Sequence, residues 1–236
     1  MRFSSWYVMF ALMIAFAITG AAQTSQKPAA QPESSSSRQK KTAPTRLGAD
    51  IDAGTIANGV YRNRALAMTC KIPAGWVLRT DEMNARDEGD SEPTQDKSSP
   101  QGTQRSTEGT RSGRVLLAAF SRPPEAKAAD VNSSIVIAVE SIETYPGLKE
   151  AAQYFGPLTE VAKAQGFTVD EDPYEIAIGA KVVVRGDFHK DVGSRVMRQS
   201  TLVFLARGYA VSITVIGGTE DEVEDLVEGV GFAVGK

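Results

Sequence analysis

From Phe167 to Ile216 the chain reads as a run of short strands, and this run limits the fold more than any other feature. Five segments carry it: Phe167–Val169, Tyr174–Ile178, Ala180–Phe188, Arg195–Leu205 and Tyr209–Ile216. In the last, Val211, Ile213 and Val215 oppose Ala210, Ser212 and Thr214. A period of two places alternate side chains on opposite faces of a strand. Gly179, Gly193 and Gly208 fall between segments and mark turns. Turns that short join neighbours running antiparallel. Thr219-Glu220-Asp221-Glu222 then reads as a capping box ahead of Val223, Leu226 and Val227. The expectation is a terminal helix packed on a sheet, with Phe232 behind it. Strands in series with helices at one or two points give an α+β fold around an antiparallel sheet.

Earlier segments extend this pattern. Val115–Phe120 is a short strand, and Ser134–Ile142 is apolar enough for one covered on both faces. Tyr61–Ile72 reads as one half-buried strand with Leu66, Met68, Cys70 and Ile72 on the buried side. Pro73-Ala74-Gly75 turns the chain, and Trp76-Val77-Leu78 resumes the apolar pattern. After Pro146-Gly147, Leu148, Ala151, Ala152 and Phe155 keep helical spacing, then Leu158, Val161 and Ala162, with Gly166 to cap the end. Gly156-Pro157 predicts two short helices or a kinked one. Asn84–Gly113 is of low complexity and predicts a disordered insertion.

The N-terminal region gives an address. Met1–Ala22 has one charge, Arg2, an apolar run from Trp6 to Ile18 and small residues at Gly20 and Ala22, the form of a secretory signal peptide. An uncleaved anchor is the alternative. Gln23–Asn58 is rich in Ser, Gln, Pro and Ala and reads as a disordered linker, with Arg38, Lys40, Lys41 and Arg46 as a sparse basic patch. Residues 59–236 form the single expected domain. They hold 20 basic and 26 acidic residues, a charge of −6, which argues against nucleic-acid binding. Cys70 is the only cysteine, so no internal disulfide and no four-thiolate zinc site can form. Cys70 itself reads as a core thiol. His189 is the only histidine, so any histidine-dependent chemistry must use it.

The most reactive-looking segment is Arg185-Gly186-Asp187-Phe188-His189-Lys190-Asp191. Arg185, Asp187 and His189 share a strand face, with Asp191 next. His189 with Asp187 or Asp191 would hold a divalent ion or orient an imidazole as a base. A charged strand face with ordinary charge pairing explains the same residues. Glu140 and Glu143 fall on opposite faces and make no carboxylate pair. Glu171, Asp172, Asp221, Glu222, Glu224 and Asp225 read as helix-end and loop charges. Gly217-Gly218 lacks the remainder of a phosphate loop, and no Gly-x-Ser-x-Gly elbow occurs. Asn132-Ser133-Ser134 matches a glycosylation sequon.

Tyr61-x-Asn63, followed by Met68-Thr69-Cys70-Lys71-Ile72-Pro73-Ala74-Gly75-Trp76, resembles the opening hairpin of PsbP-like and DcrB-like domains. The ending, from Gly208-Tyr209 through a Ser/Thr-alternating strand to a helix and Phe232, is similar to theirs as well. The resemblance implies an α/β/α sandwich, an antiparallel sheet flanked by helices, in an exported protein. It implies accessory or binding roles without a chemical step, and it carries over no catalytic residue. The expected function is therefore an exported, non-catalytic binding or accessory module, periplasmic or secreted. Its partner would be a protein or small ligand of the cell envelope. No cofactor, metal or nucleic acid is expected, and membrane contact comes only through an uncleaved leader. Two alternatives are an exported hydrolase or metal-dependent enzyme using His189 with Asp187 or Asp191, and a membrane-anchored envelope scaffold.

Overall fold

Twelve strands and three helices make up the residues that the computed structural model describes: 51–89, 113–126 and 130–233. The leader, most of the linker and residues 90–112 of the expected insertion lie outside them. In chain order the strands are β1 Thr55–Ala57, β2 Val60–Asn63, β3 Met68–Lys71, β4 Val77–Leu78, β5 Gly113–Phe120, β6 Ser134–Ser141, β7 Thr168–Val169, β8 Tyr174–Ile178, β9 Lys181–Val192, β10 Arg195–Ala206, β11 Tyr209–Gly217 and β12 Val230–Phe232. The helices are α1 Thr80–Gly89, α2 Phe155–Ala164 and α3 Glu220–Glu228.

A large sheet of eight strands runs β4-β5-β6-β11-β10-β9-β7, with β8 also on β9, and a small one runs β1-β2-β3-β12. Every pairing is antiparallel. The architecture is α+β, with helices against an antiparallel sheet. The small sheet and α3 cover one face of the large sheet, burying Leu117, Ile137, Leu202, Ile213 and Val215 against Met68, Cys70, Leu226 and Val230. The other face carries α2, whose Phe155 packs with Phe188 and Val203. At that face's far end Met83 of α1 meets Val115, Ala118 and Val136.

Local chemistry explains the elements. Thr219 caps α3 by accepting from the Glu222 amide at 3.2 Å. The return arm of the expected box goes elsewhere: Glu222 accepts from the Gly218 amide at 2.8 Å and from the Ser133 hydroxyl at 2.5 Å. Helix α2 ends at Gly166, whose φ of +84° is open to glycine without strain. The Phe167 amide then reaches back to the Ala162 carbonyl at 3.0 Å, closing the last turn. Gly186 permits the helix to approach the sheet, because a Cβ there would stand 2.4 Å from the Phe155 ring.

Four expectations are corrected. Tyr61–Ile72 is a hairpin, not one strand: residues 64–67 turn, with Ala67 at φ +50°, and Tyr61 pairs with Cys70. The linker does not reach Asn58, since Ile51 is 2% exposed and Thr55–Ala57 pairs with β2. The insertion does not begin at Asn84, because α1 runs on to Gly89. Two short helices do form, but they meet between Tyr154 and Phe155 and not at Gly156-Pro157: a 3-10 turn, Ala151–Tyr154, leads into α2, and Pro157 occupies its first turn. Proline is tolerated there because those amides have no partner inside the helix.

Candidate functional site

The residues singled out on β9 do not converge. Arg185, Asp187 and His189 do share a face, as alternation requires, but each is committed differently. The Asp187 carboxylate accepts from Arg185 Nε at 3.0 Å and from the Tyr174 hydroxyl at 2.8 Å. The Arg185 guanidinium turns its other end to Glu224 of α3, donating through both terminal nitrogens. Burial works against that charge. The bonds to Glu224 and Asp187 outweigh it and hold the guanidinium above its ordinary range. Burial first, then the bond to Asp187, pushes Tyr174 up to about 12. This cluster ties β8, β9 and α3 together.

His189 pairs through Nδ1 with Asp170, just past β7, and not with Asp187 or Asp191. Asp191 is exposed near the end of β9. Among the described residues, no three His, Cys, Asp or Glu side chains are grouped to hold a metal ion. Cys70 is fully buried, and burial pushes its thiol up to about 12, which leaves it protonated and inert. Asn132 of the sequon is engaged on both sides of its amide. Its oxygen accepts from the Ser121 hydroxyl at 3.0 Å, and its nitrogen donates to the Arg122 carbonyl at 3.1 Å.

A different place gathers polar side chains for no evident structural need. On the helix side of the large sheet, Gln199 and Thr201 of β10, Ser212 and Thr214 of β11, and Glu140 of β6 line a groove beside α2. Strand register sets them side by side, since Thr201 pairs with Thr214 and Ser212 with Ala138. Leu158 and Val161 of α2 form the apolar wall. The groove is shallow, with about 40 Å³ open to a water-sized group. The hydroxyls of Thr201 and Thr214 lie 3.2 Å apart, and Gln199 donates to Thr201 at 3.3 Å.

One end of the groove is anchored by a carboxylate. Glu140 is 2% exposed and accepts hydroxyl bonds from Tyr145 and Tyr154, each at 2.8 Å. The two rings meet edge to face, with centroids 5.3 Å apart. Buried polar groups are costly unless bonded. The Thr, Gln and Tyr partners meet that need, and the strip stays hydrophilic inside a sheet face that is otherwise apolar. Sequence reading placed Ser212 and Thr214 opposite the Val211 face but gave them no role. Thr201 and Gln199 carried no signal, because alternation alone does not tell a solvent face from one beneath a helix.

No family model and no curated protein matches this chain. Solved structures show a distant likeness. One is a Pseudomonas aeruginosa protein of unknown function, PA94, at 17% identity and a TM-score of 0.33, covering 47% of this chain and 78% of that one. Another is LpqN of Mycobacterium tuberculosis, described as involved in cell envelope biogenesis, at 11% identity and a TM-score of 0.33, covering 71% and 83%. A Bacteroides thetaiotaomicron protein matches at 8% identity and a TM-score of 0.34, covering 71% and 45%. Similarity at that level carries no argument about function. Among the described residues, no helix is long and apolar enough to cross a membrane.

Proposed function

We propose that this chain is an exported binding module of the PsbP-like and DcrB-like kind, whose ligand surface is the hydroxyl-lined groove beside α2. The strip Gln199, Thr201, Ser212 and Thr214 carries the reading: a fold that needed only a core would have apolar residues there. Its chemistry fits a small, uncharged ligand with one hydrogen-bonding edge, laid on the hydroxyls, and one apolar edge against Leu158 and Val161. The leader and the resemblance of the opening hairpin support work outside the cytosol. No nucleophile with an adjacent base has been found at the groove, which favours recognition over turnover.

The test has two parts. The full chain is expressed in a bacterial host, the processed protein is recovered from the envelope fraction, and its N-terminus is sequenced. A start near Gln23 is expected; the intact chain in the cytosol would contradict export. The recovered protein is then titrated with a small-molecule extract of the envelope while amide NMR shifts are followed. Shifts confined to β10, β11 and α2 are expected. An unmoved groove, or turnover of any component of the extract, would defeat the reading.

A further inference from the structure

The described body is net acidic, yet one end of it gathers cations that have no acidic partner among the described residues. Residues 51–236 carry 20 basic and 27 acidic side chains, a charge of −7. Four arginines nevertheless gather where the β2–β3 hairpin turn meets the β10–β11 turn. Arg207, in the second turn, donates from Nε to the Ala65 carbonyl in the first at 2.7 Å, which fixes Arg64 and Arg207 as neighbours. Arg62 stands two residues before Arg64, and both are exposed. Arg114, near the start of β5, is close enough to interact electrostatically with Tyr61. None of the four makes an ion pair with another described residue. Acids lie at this end as well: Asp52, whose carboxylate accepts from the Gly54 amide, buried Glu140, opposite Gly113 and Ala210, and Glu143, near the β10–β11 turn.

The opposite pole carries the acidic start of α3 beside two cations of β10, Arg195 opposite Val192 and Arg198 opposite Gly217. Strand β11 leaves the arginine end at Tyr209 and reaches Gly217 eight residues later, a span of roughly 27 Å. There α3 opens with Glu220, Asp221 and Glu222. Asp191, at the far end of β9, belongs to the same pole. The chain enters the body at the arginine end: the Asp52 carbonyl accepts from Asn63, one residue from both Arg62 and Arg64. The segment that precedes it, residues 23–50, has five basic and two acidic side chains.

We propose that the arginine end docks on an anionic phospholipid surface, with Arg62, Arg64, Arg114 and Arg207 facing the headgroups and the opposite pole turned away. Guanidinium groups suit phosphate because they donate in pairs and are weakly hydrated. Cations close to a negatively charged leaflet add their attractions, and the sum falls as salt screens it. A body that is net acidic approaches such a surface best with its unpaired cations foremost. The inference does not depend on what occupies the groove.

The experiment is sedimentation of the full chain with vesicles of phosphatidylcholine alone and with a quarter phosphatidylglycerol. The leader adds the same apolar contribution to both, so the quantity read is the increment due to anionic lipid. The expected increment is large at low salt and lost in 0.5 M salt. Arg62→Glu with Arg64→Glu should reduce it about tenfold or more, since neither side chain has a hydrogen bond to another described residue to lose. Arg62→Lys with Arg64→Lys should retain most of it, and Asp191→Asn should leave it unchanged. An increment that survives both the Glu variant and high salt would overturn the proposal. So would binding to a soluble anionic wall polymer without an increment on vesicles. Should the Glu variant not fold, the salt dependence of the natural chain and the Lys variant still decide.

Discussion

The two faces of the large sheet are built differently, although the same strands make both. The face under α3 and the small sheet is dry: Leu117, Ile137, Leu202 and Ile213 are fully buried and meet other apolar side chains. The face under α2 is apolar only in patches, around Phe155 and around Met83, with a strip of hydroxyls and one buried carboxylate in the groove beside α2. Since each strand supplies both faces, the difference is not one of backbone geometry. It lies in the choice of side chain at every second residue. One face is committed to holding the molecule together, and the other keeps part of its area in reserve.

The comparison breaks most easily on its dry side. Ile213→Ala should lose about 3 kcal/mol, the transfer of the deleted atoms plus the cavity left in a filled layer. Chemical denaturation measures this, and a cost below about 1 kcal/mol would mean that the layer is loosely packed. Next comes the charged staple between sheet and α3. Arg185→Ala leaves Asp187, with a side chain only 17% exposed, without its cation. The expected cost is about 2 kcal/mol, below that of a fully buried pair because Glu224 faces solvent in part. His189→Ala, by contrast, should cost little, since its contact with Asp170 sits in solvent.

A smaller effect is visible only in alkali. Tyr174 ionises near 12 in the folded protein, against 10.0 for a free phenol, so the folded state holds this proton more tightly than the unfolded one. The resulting stability is complete below pH 10 and drains away as pH rises toward 12. Tyr174→Phe should flatten the stability curve in that window and leave it unchanged at neutral pH. A curve of unaltered slope would place the titration elsewhere.

Much of the scaffold was readable from the chain. The strands between Tyr174 and Gly217, their glycine turns and the capped helix α3 follow from period-two alternation and short polar punctuation. The misses share a cause, which is that contact made elsewhere in the fold decides local structure. Helix α1 has a single buried apolar side chain among its residues with described side chains, Met83, so no stripe betrays it. The four-residue turn after Asn63 preserves the parity of the alternation, so the hairpin reads as one strand. Pro157 looks like a breaker until the 3-10 turn before it places it at a helix start. The site was less legible than the scaffold. Asp187 reads as a metal ligand or as the group that orients His189 until Tyr174 and Arg185 claim it, and the partner of His189 comes from Asp170, on the neighbouring strand's loop. Ser212 and Thr214 look like a solvent face, because nothing local announces that α2 will lie beside them.

The reserve itself is tested by Thr201→Val combined with Thr214→Val. The pair removes both partners of one buried contact and keeps their shape, so neither hydroxyl is left stranded, and the Gln199 amide that loses an acceptor is partly open to water. The variant should fold with stability within about 1 kcal/mol of the natural protein while the envelope extract no longer shifts the amides of β10, β11 and α2. A variant that loses several kcal/mol and still responds to the extract would show that the hydroxyl strip serves the fold and that recognition happens elsewhere.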